Sequence, residues 1–323
     1  MNGGDIIRKL LFSVGFLFFI ISGMWLSNMY SQVKSSSPDT QVKNELISSP
    51  PEKQVTPWGI KQVHPKVGQL IEETSNVKVA VLDSGIYKDH EDLIGIVKKQ
   101  YNAISPDTPV IDEFGHGTAI AGILSAANND SGVIGINPAI EIYDVKVLDS
   151  NGKGNVEYLI RGIEWSINQK VHIINISSGI TKDSPELKNV IDKAISTGII
   201  VVAAAGNTFG TGVEYPAKYK DVISVNSIKE DFKRPGTAAR GKIDYIAPGE
   251  KVLSTDHNGG YSLFSGTSFA AAHATGVISL FISNQTIEDT PISEVMALLN
   301  EKAVKDKKFV DEIEYGNGLI TFN

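Results

Sequence analysis

Gly266-Thr267-Ser268-Phe269-Ala270-Ala271-Ala272-His273, running on through Ala274, Thr275 and Gly276 into Val277-Ile278-Ser279-Leu280-Phe281, decides the reading of this chain. A serine preceded by Gly-Thr and followed by a long run of small or apolar residues predicts a nucleophile at the first turn of a deeply buried helix. Small side chains let such a helix lie close against its neighbours. Its unpaired N–H groups and positive dipole end would surround Ser268 Oγ and any oxyanion formed on attack there. Taken alone, the stretch is read equally well as a capping serine on a core helix.

Three upstream stretches move the balance. Asn76-Val77-Lys78-Val79-Ala80-Val81-Leu82-Asp83 is an apolar run ending in a carboxylate and followed by Ser84-Gly85. It predicts a buried parallel strand with Asp83 at its carboxyl end, the edge where open α/β sheets place their sites, and Ser84 is available to hold the carboxylate. In isolation Asp83 would be a turn residue. In Phe114-Gly115-His116-Gly117-Thr118-Ala119-Ile120-Ala121-Gly122-Ile123, glycines flank an imidazole at a helix entry, which makes His116 a candidate general base. His64, His90, His172, His257 and His273 are read as structural. Although His273 is near Ser268 in sequence, five helical residues turn it about 140° away. Between these motifs the pattern alternates as βαβ: a strand over 140–148, a helix over 156–168, a strand over 171–177, a helix over 185–197 and a strand over 199–205. That last strand runs into Gly206-Asn207, whose amide can point a donor at developing negative charge or can serve as an ordinary turn.

Composition bounds the rest. The 323 residues are 41% hydrophobic with a net charge of -7, which fits a globular enzyme and supplies no basic stripe for nucleic acid. The chain has no cysteine, which removes disulfides, thiolate catalysis, Cys-ligated zinc and a lipidated N-terminal Cys. Residues 10–26 (LLFSVGFLFFIISGMWL) are apolar and uncharged, follow Arg8-Lys9 and precede a polar segment. They read as an export signal, either cleaved or kept as a membrane anchor, with Trp25 and Tyr30 at its far end like interfacial aromatics. The expected organisation is a cytoplasmic n-region over 1–9, a signal peptide or signal-anchor helix over 10–30, a polar linker or short pro-segment over 31–53, and a catalytic domain over 54–323.

Taken together, VLDSG with Asp83, GHGT with His116, AAAGN with Asn207 and GTSFAA with Ser268 resemble the subtilisin family of serine proteases, whose chain order Asp, His, Ser they keep. The resemblance runs from about Gln54 to Tyr315-Gly316-Asn317-Gly318-Leu319-Ile320. It implies a three-layer α/β fold with a mainly parallel central sheet and helices on both faces. It also implies that Ser268 attacks, His116 takes and returns the proton, Asp83 orients the imidazole, and Asn207 with the Ser268 N–H binds the oxyanion. Ser177-Ser178-Gly179 and the facing Gly152-Lys153-Gly154 resemble the strands that pair with substrate. Ala203, Ala204 and Ala205 resemble a wall of the primary pocket, and Glu214, just before Tyr215-Pro216, stands at its floor. A carboxylate there predicts a preference for Lys or Arg before the scissile bond, against the alternative of a solvated loop charge. Gln54, Asp92 and Asn129 fall where the family's calcium site takes side-chain oxygens, and Ala127, Ser131 and Val133 where it takes carbonyls; the plainer alternative is a polar turn. Ala119, Phe269 and Ala272 depart from the family's usual His, Met and Pro.

The expectation is therefore an extracytoplasmic serine endopeptidase, monomeric, acting on peptide or protein substrates, and a processing enzyme rather than a scavenging one. Its rivals are a broad-specificity degradative protease and a catalytically silent module that only binds peptides.

Overall fold

The computed structural model describes residues 32–35, 45–46, 51, 53–68, 76–283 and 292–323. The apolar run expected as signal or anchor lies outside these residues. Among the described residues no helix is long and apolar enough to cross a membrane.

Seven parallel strands make the central sheet: β3 (Lys78–Asp83), β4 (Val97–Asn102), β5 (Glu141–Lys146), β7 (Ile173–Ile176), β9 (Ile200–Ala204), β10 (Ile223–Ile228) and β11 (Tyr245–Pro248). Their order across the sheet is β11-β10-β9-β7-β3-β5-β4. The interior strand β3 is Val/Ala/Leu-rich because both its faces are covered, as parallel sheets require. Val79 and Val81 point into one apolar cluster and Ala80 and Leu82 into the other. Helices supply the outer layers. On one face lie α2 (His116–Ser125) and α5 (Thr267–Ser283), which contribute Ile120, Leu124, Phe269 and Val277. On the other lie α3 (Val156–Asn168) and α4 (Pro185–Ser196), which contribute Leu159, Ile163, Leu187 and Ile191. Shorter helices, α1 (Trp58–Val63), α6 (Ile292–Lys302) and α7 (Glu312–Tyr315), complete the set.

The fold's main consequence is the placement of α5. Its residues from Thr267 to Ser279 are all buried, which explains why the run is mostly Ala, Gly, Ser and Thr, with Phe269, His273, Val277 and Ile278 the larger exceptions. Hydrogen bonds from neighbouring strand ends fix it lengthwise: Thr275 Oγ1 donates to Asn175 Oδ1 (2.9 Å), and Gly206 N donates to Thr267 Oγ1 (3.1 Å). A hairpin of β12 (Val252–Thr255) and β13 (Tyr261–Phe264) packs beside α2, where Ser254 and Thr255 hydroxyls bond the Ala119 and Thr118 carbonyls.

Two short strands lie in the segment expected to be linker. β1 (Gln32–Ser35) sits between β6 (Lys153–Asn155) and β8 (Ser178–Gly179). β2 (Glu45–Leu46) adds to β13. Neither has a strand signal of its own; pairing with open edges of the domain supplies their hydrogen bonds.

Candidate active site

Asp83 closes β3 at the carboxyl rim of the sheet and is buried. His116 is the first residue of α2, entered through Gly115 at φ 90°. The two side chains meet: His116 Nδ1 donates to Asp83 Oδ1 at 2.8 Å and lies 2.9 Å from Oδ2. The meeting depends on a bare α-carbon, since a methyl built on Gly117 would lie 2.1 Å from the Gly85 carbonyl oxygen. Ser84 supports Asp83 by a different route from the one expected. Its backbone N–H donates to Asp83 Oδ1 at 2.8 Å, while its hydroxyl turns to Asp112 Oδ1 at 2.8 Å.

Asp112 is a site residue the sequence reading missed. It is buried and accepts from Ser84 Oγ, Phe114 N and Gly115 N on one oxygen and from Thr118 N and Oγ1 on the other. It thereby caps the α2 entry and links it to the end of β3. Its position four residues before His116 was the available signal. Lys146 was missed as well; its Nζ donates to the Ser84 and Ile111 carbonyls at 2.8 and 2.7 Å. Behind them Asp144 accepts from Gln100 and Ile86, and burial, joined by the charges of Asp112 and Asp83, pushes its carboxyl up to about 7.

Burial alone would lower the pKa of His116. The charge of Asp83, its hydrogen bond and the charge of Asp112 outweigh burial, and the imidazole is raised above its ordinary value. Its other nitrogen, Nε2, is buried with no hydrogen-bond partner among the described residues.

Ser268 is the second residue of α5, and the ring of the next residue, Phe269, lies 5.1 Å from the His116 ring. The Ser268 hydroxyl donates to the Ser177 carbonyl at 3.0 Å. Asn207 follows β9, and its Oδ1 accepts from Thr267 N at 3.1 Å and Thr267 Oγ1 at 3.3 Å. That bond satisfies an orphan donor of α5 and commits the amide oxygen, so Nδ2 is the edge beside Gly266, 3.0 Å from a methyl built there. Four of the other histidines bond backbone groups: His64, His90 and His172, and His273, which bonds the Phe269 carbonyl; the His257 ring lies against Gly115, 2.2 Å from a methyl built there.

β6 and β8 bracket a slot one strand wide, filled by β1 with antiparallel pairs on both sides. The expected substrate strands, Gly152-Lys153-Gly154 and Ser177-Ser178-Gly179, are these walls or adjoin them. Glu214 lies at the same place: methyls built on Gly179 and Gly206 would fall 2.7 and 2.8 Å from its Oε2. Its N–H donates to the Ala205 carbonyl, one residue beyond Ala204 at the end of β9.

The residues of the expected calcium site also converge. Gln54 Nε2 lies 2.7 Å from the Ala127 carbonyl, 3.3 Å from Asn129 Oδ1, 3.3 Å from the Ser131 carbonyl and 3.5 Å from the Val133 carbonyl. Four oxygens around one point, with a side-chain amide whose oxygen can turn inward, suit a hard cation. Asp92 is adjacent and buried, with Oδ1 accepting from Asn129 and Oδ2 from Val133 N and Tyr261 OH. No group of three or more His, Cys, Asp or Glu able to hold a metal occurs among the described residues.

A carboxylate-held imidazole and a helix-borne serine thus stand at the carboxyl rim of a doubly covered parallel sheet in an α/β protein. A model of the Subtilase family matches residues 74–318, and the chain belongs to that family. It is 41% identical over 237 residues to Subtilisin E of Bacillus subtilis (strain 168), a match covering 71% of this chain and 62% of that protein. Thermostable alkaline protease of Halalkalibacterium halodurans is 37% identical over 269 residues, covering 83% and 72%. Subtilisin DY of Bacillus licheniformis is 34% identical over 273 residues, covering 83% and 97%.

Proposed function

We propose that this chain is a serine endopeptidase in which Ser268, His116 and Asp83 act together. The observation that carries the reading is His116, clamped through Nδ1 by a buried carboxylate while Nε2, in the same buried site, has no hydrogen-bond partner among the described residues. Asp83 holds the tautomer in which Nε2 is the acceptor and offsets the charge when it takes a proton. Ser268 Oγ turns from the Ser177 carbonyl toward that nitrogen, attacks the peptide carbonyl, and passes its proton through His116 to the leaving amine. Water then reverses the step and frees the acyl group. Asn207 Nδ2 and the Ser268 N–H receive the oxyanion. Loss of one such donor in a subtilisin lowers kcat about 10²- to 10³-fold, a figure carried over here to Asn207.

The slot between β6 and β8 fits an extended peptide held by its backbone, an interaction largely indifferent to sequence. Selectivity then comes from the pocket, where Glu214 favours Lys or Arg before the scissile bond, as a processing enzyme would require. The apolar run over 10–26 supports work outside the cytoplasm, in a secreted or anchored monomer. Gln54, Ala127, Asn129, Ser131 and Val133, with Asp92 beside them, would hold Ca²⁺, which supplies rigidity to the 127–133 loop and no chemistry. The test is labelling by a fluorophosphonate. Wild type is expected to be labelled and Ser268→Ala to be inert; equal labelling of both, or of neither, overturns the reading.

A further inference from the structure

Asp144 stands at a strand position that packing alone would give to Val or Ile. It is fully buried in β5, on the sheet face it shares with Ile142, between Val81 of β3 and Gln100 of β4. One of its oxygens is used: Oδ2 accepts from Gln100 Nε2 at 2.9 Å and from Ile86 N at 3.2 Å. Oδ1 is buried without a hydrogen-bond partner among the described residues. The core gains nothing from a carboxyl so placed, because burying it half-satisfied is costly.

What the carboxyl does hold is a turn. Ser84, Gly85 and Ile86 carry the chain on from Asp83: Ser84 N donates to Asp83 Oδ1, and the Gly85 carbonyl oxygen lies against Gly117, the residue after His116. β5 grips this turn at both ends, by Lys146 Nζ on the Ser84 carbonyl at 2.8 Å and by Asp144 on Ile86 N. We propose that Asp144 is a positioning residue of the active site, which holds the Ser84–Ile86 turn behind Asp83 and whose own ionisation is coupled to that of His116. The inference rests on the proposed peptidase reading for the use made of His116; the coupling itself is a matter of charge.

The surrounding groups decide its sign. Asp112, before α2, and Asp83, at the end of β3, add their charges to burial and push the Asp144 carboxyl up to about 7. α2 contributes one titratable group, His116. On β5 itself, Lys146 is committed to the Ser84 and Ile111 carbonyls and lies 3.6 Å from Glu113. β4 faces Asp144 with the neutral Gln100, and Tyr87, Lys88 and Asp89, which follow Ile86, are exposed. Below about pH 7 a neutral Asp144 leaves Asp83 and Asp112 as the carboxylates that favour the imidazolium. Above it a third negative charge joins them, so the ring holds its proton more tightly as the acid ionises. Two sites linked in this way titrate over a wider range than either would alone.

The test follows the His116 ring by NMR across pH in the full chain carrying Ser268→Ala, with and without Asp144→Asn. The amide keeps an acceptor for Ile86 N and Gln100 but never ionises. It is expected to lower the ring's midpoint by about half a pH unit and to narrow a broadened titration to that of a single proton. An unmoved midpoint with an unchanged curve overturns the inference. Positioning is read from kcat in chains that keep Ser268. Asp144→Leu leaves Ile86 N and the Gln100 amide without their acceptor and is expected to lower kcat at least about tenfold at constant KM, and Asp144→Asn to recover most of that loss at about pH 6. A Leu variant as fast as wild type, or an Asn variant no faster than Leu, overturns it too; the NMR arm stands even if the Leu variant does not fold. The two readings fail separately. A shifted ring in a protein that cuts no peptide refutes the peptidase reading alone, and a cutting enzyme with an unmoved ring refutes the role of Asp144 alone.

Discussion

His116 works under opposed influences, and the balance sets its pH behaviour. Burial favours the neutral ring, but the charges of Asp83 and Asp112 favour the imidazolium and win. Because the pKa is raised on folding, the pair stabilises the fold fully below about pH 6.5, and this contribution is lost as pH rises through the folded value. Catalysis needs the neutral ring, so the same shift moves the acid limb of kcat/KM upward. Asp112→Asn removes one of the raising charges without touching the imidazole, and the acid limb is expected to move to lower pH. A pH-rate profile with an unmoved limb would show that Asp112 only caps the helix. Glu214 offers the second prediction at this scale. A peptide library cut by wild type is expected to show Lys or Arg before the scissile bond, and Glu214→Ala to lose that preference about tenfold or more; no basic preference in wild type ends the idea. Asp83, His116, Asn207 and Ser268 were legible because each sits at the end of a strand or the start of a helix, where local sequence carries a signal. Asp112, Asp144 and Lys146 were not, since their roles come from carbonyls and hydroxyls distant in the chain.

At the scale of elements, the close approach of α2 to the end of β3 decides whether the imidazole reaches its carboxylate. Gly117→Ala puts a methyl 2.1 Å from the Gly85 carbonyl oxygen, so the helix must withdraw. Both kcat/KM and the melting temperature are expected to fall, with activity down at least about tenfold; an active, equally stable variant would show that the contact is slack. Periodicity and end signals located these elements well. The helix over 156–168 has the expected bounds because Asn155 caps it through Tyr158 N. The strand over 140–148 is shorter, Glu141–Lys146, because its ladder with β3 stops at Asp83↔Lys146. β4 and β10 to β13 escaped the reading, being mixed in character, and β1 and β2 escaped it because their strand state belongs to the partners they pair with.

For the molecule as a whole, the 127–133 loop joins the N-terminal part of the domain to its body, since Gln54 N and Val55 N bond the Asp130 and Gly132 carbonyls. Ca²⁺ bound there would stabilise only the folded state, by mass action. Chelator is expected to lower the melting temperature of the purified protein, and Gln54→Ala to reduce that sensitivity; a melting curve indifferent to chelator and to added Ca²⁺ removes the site. The central claim is that a strand end, a helix entry and a second helix start, brought together by the sheet order, act as one device. Its most direct test is the kcat of Ser268→Ala, His116→Ala and the double variant. Groups acting as a unit are expected to give a double variant no slower than the slower single one. Losses that multiply would contradict it, because they would mean the serine and the imidazole work separately.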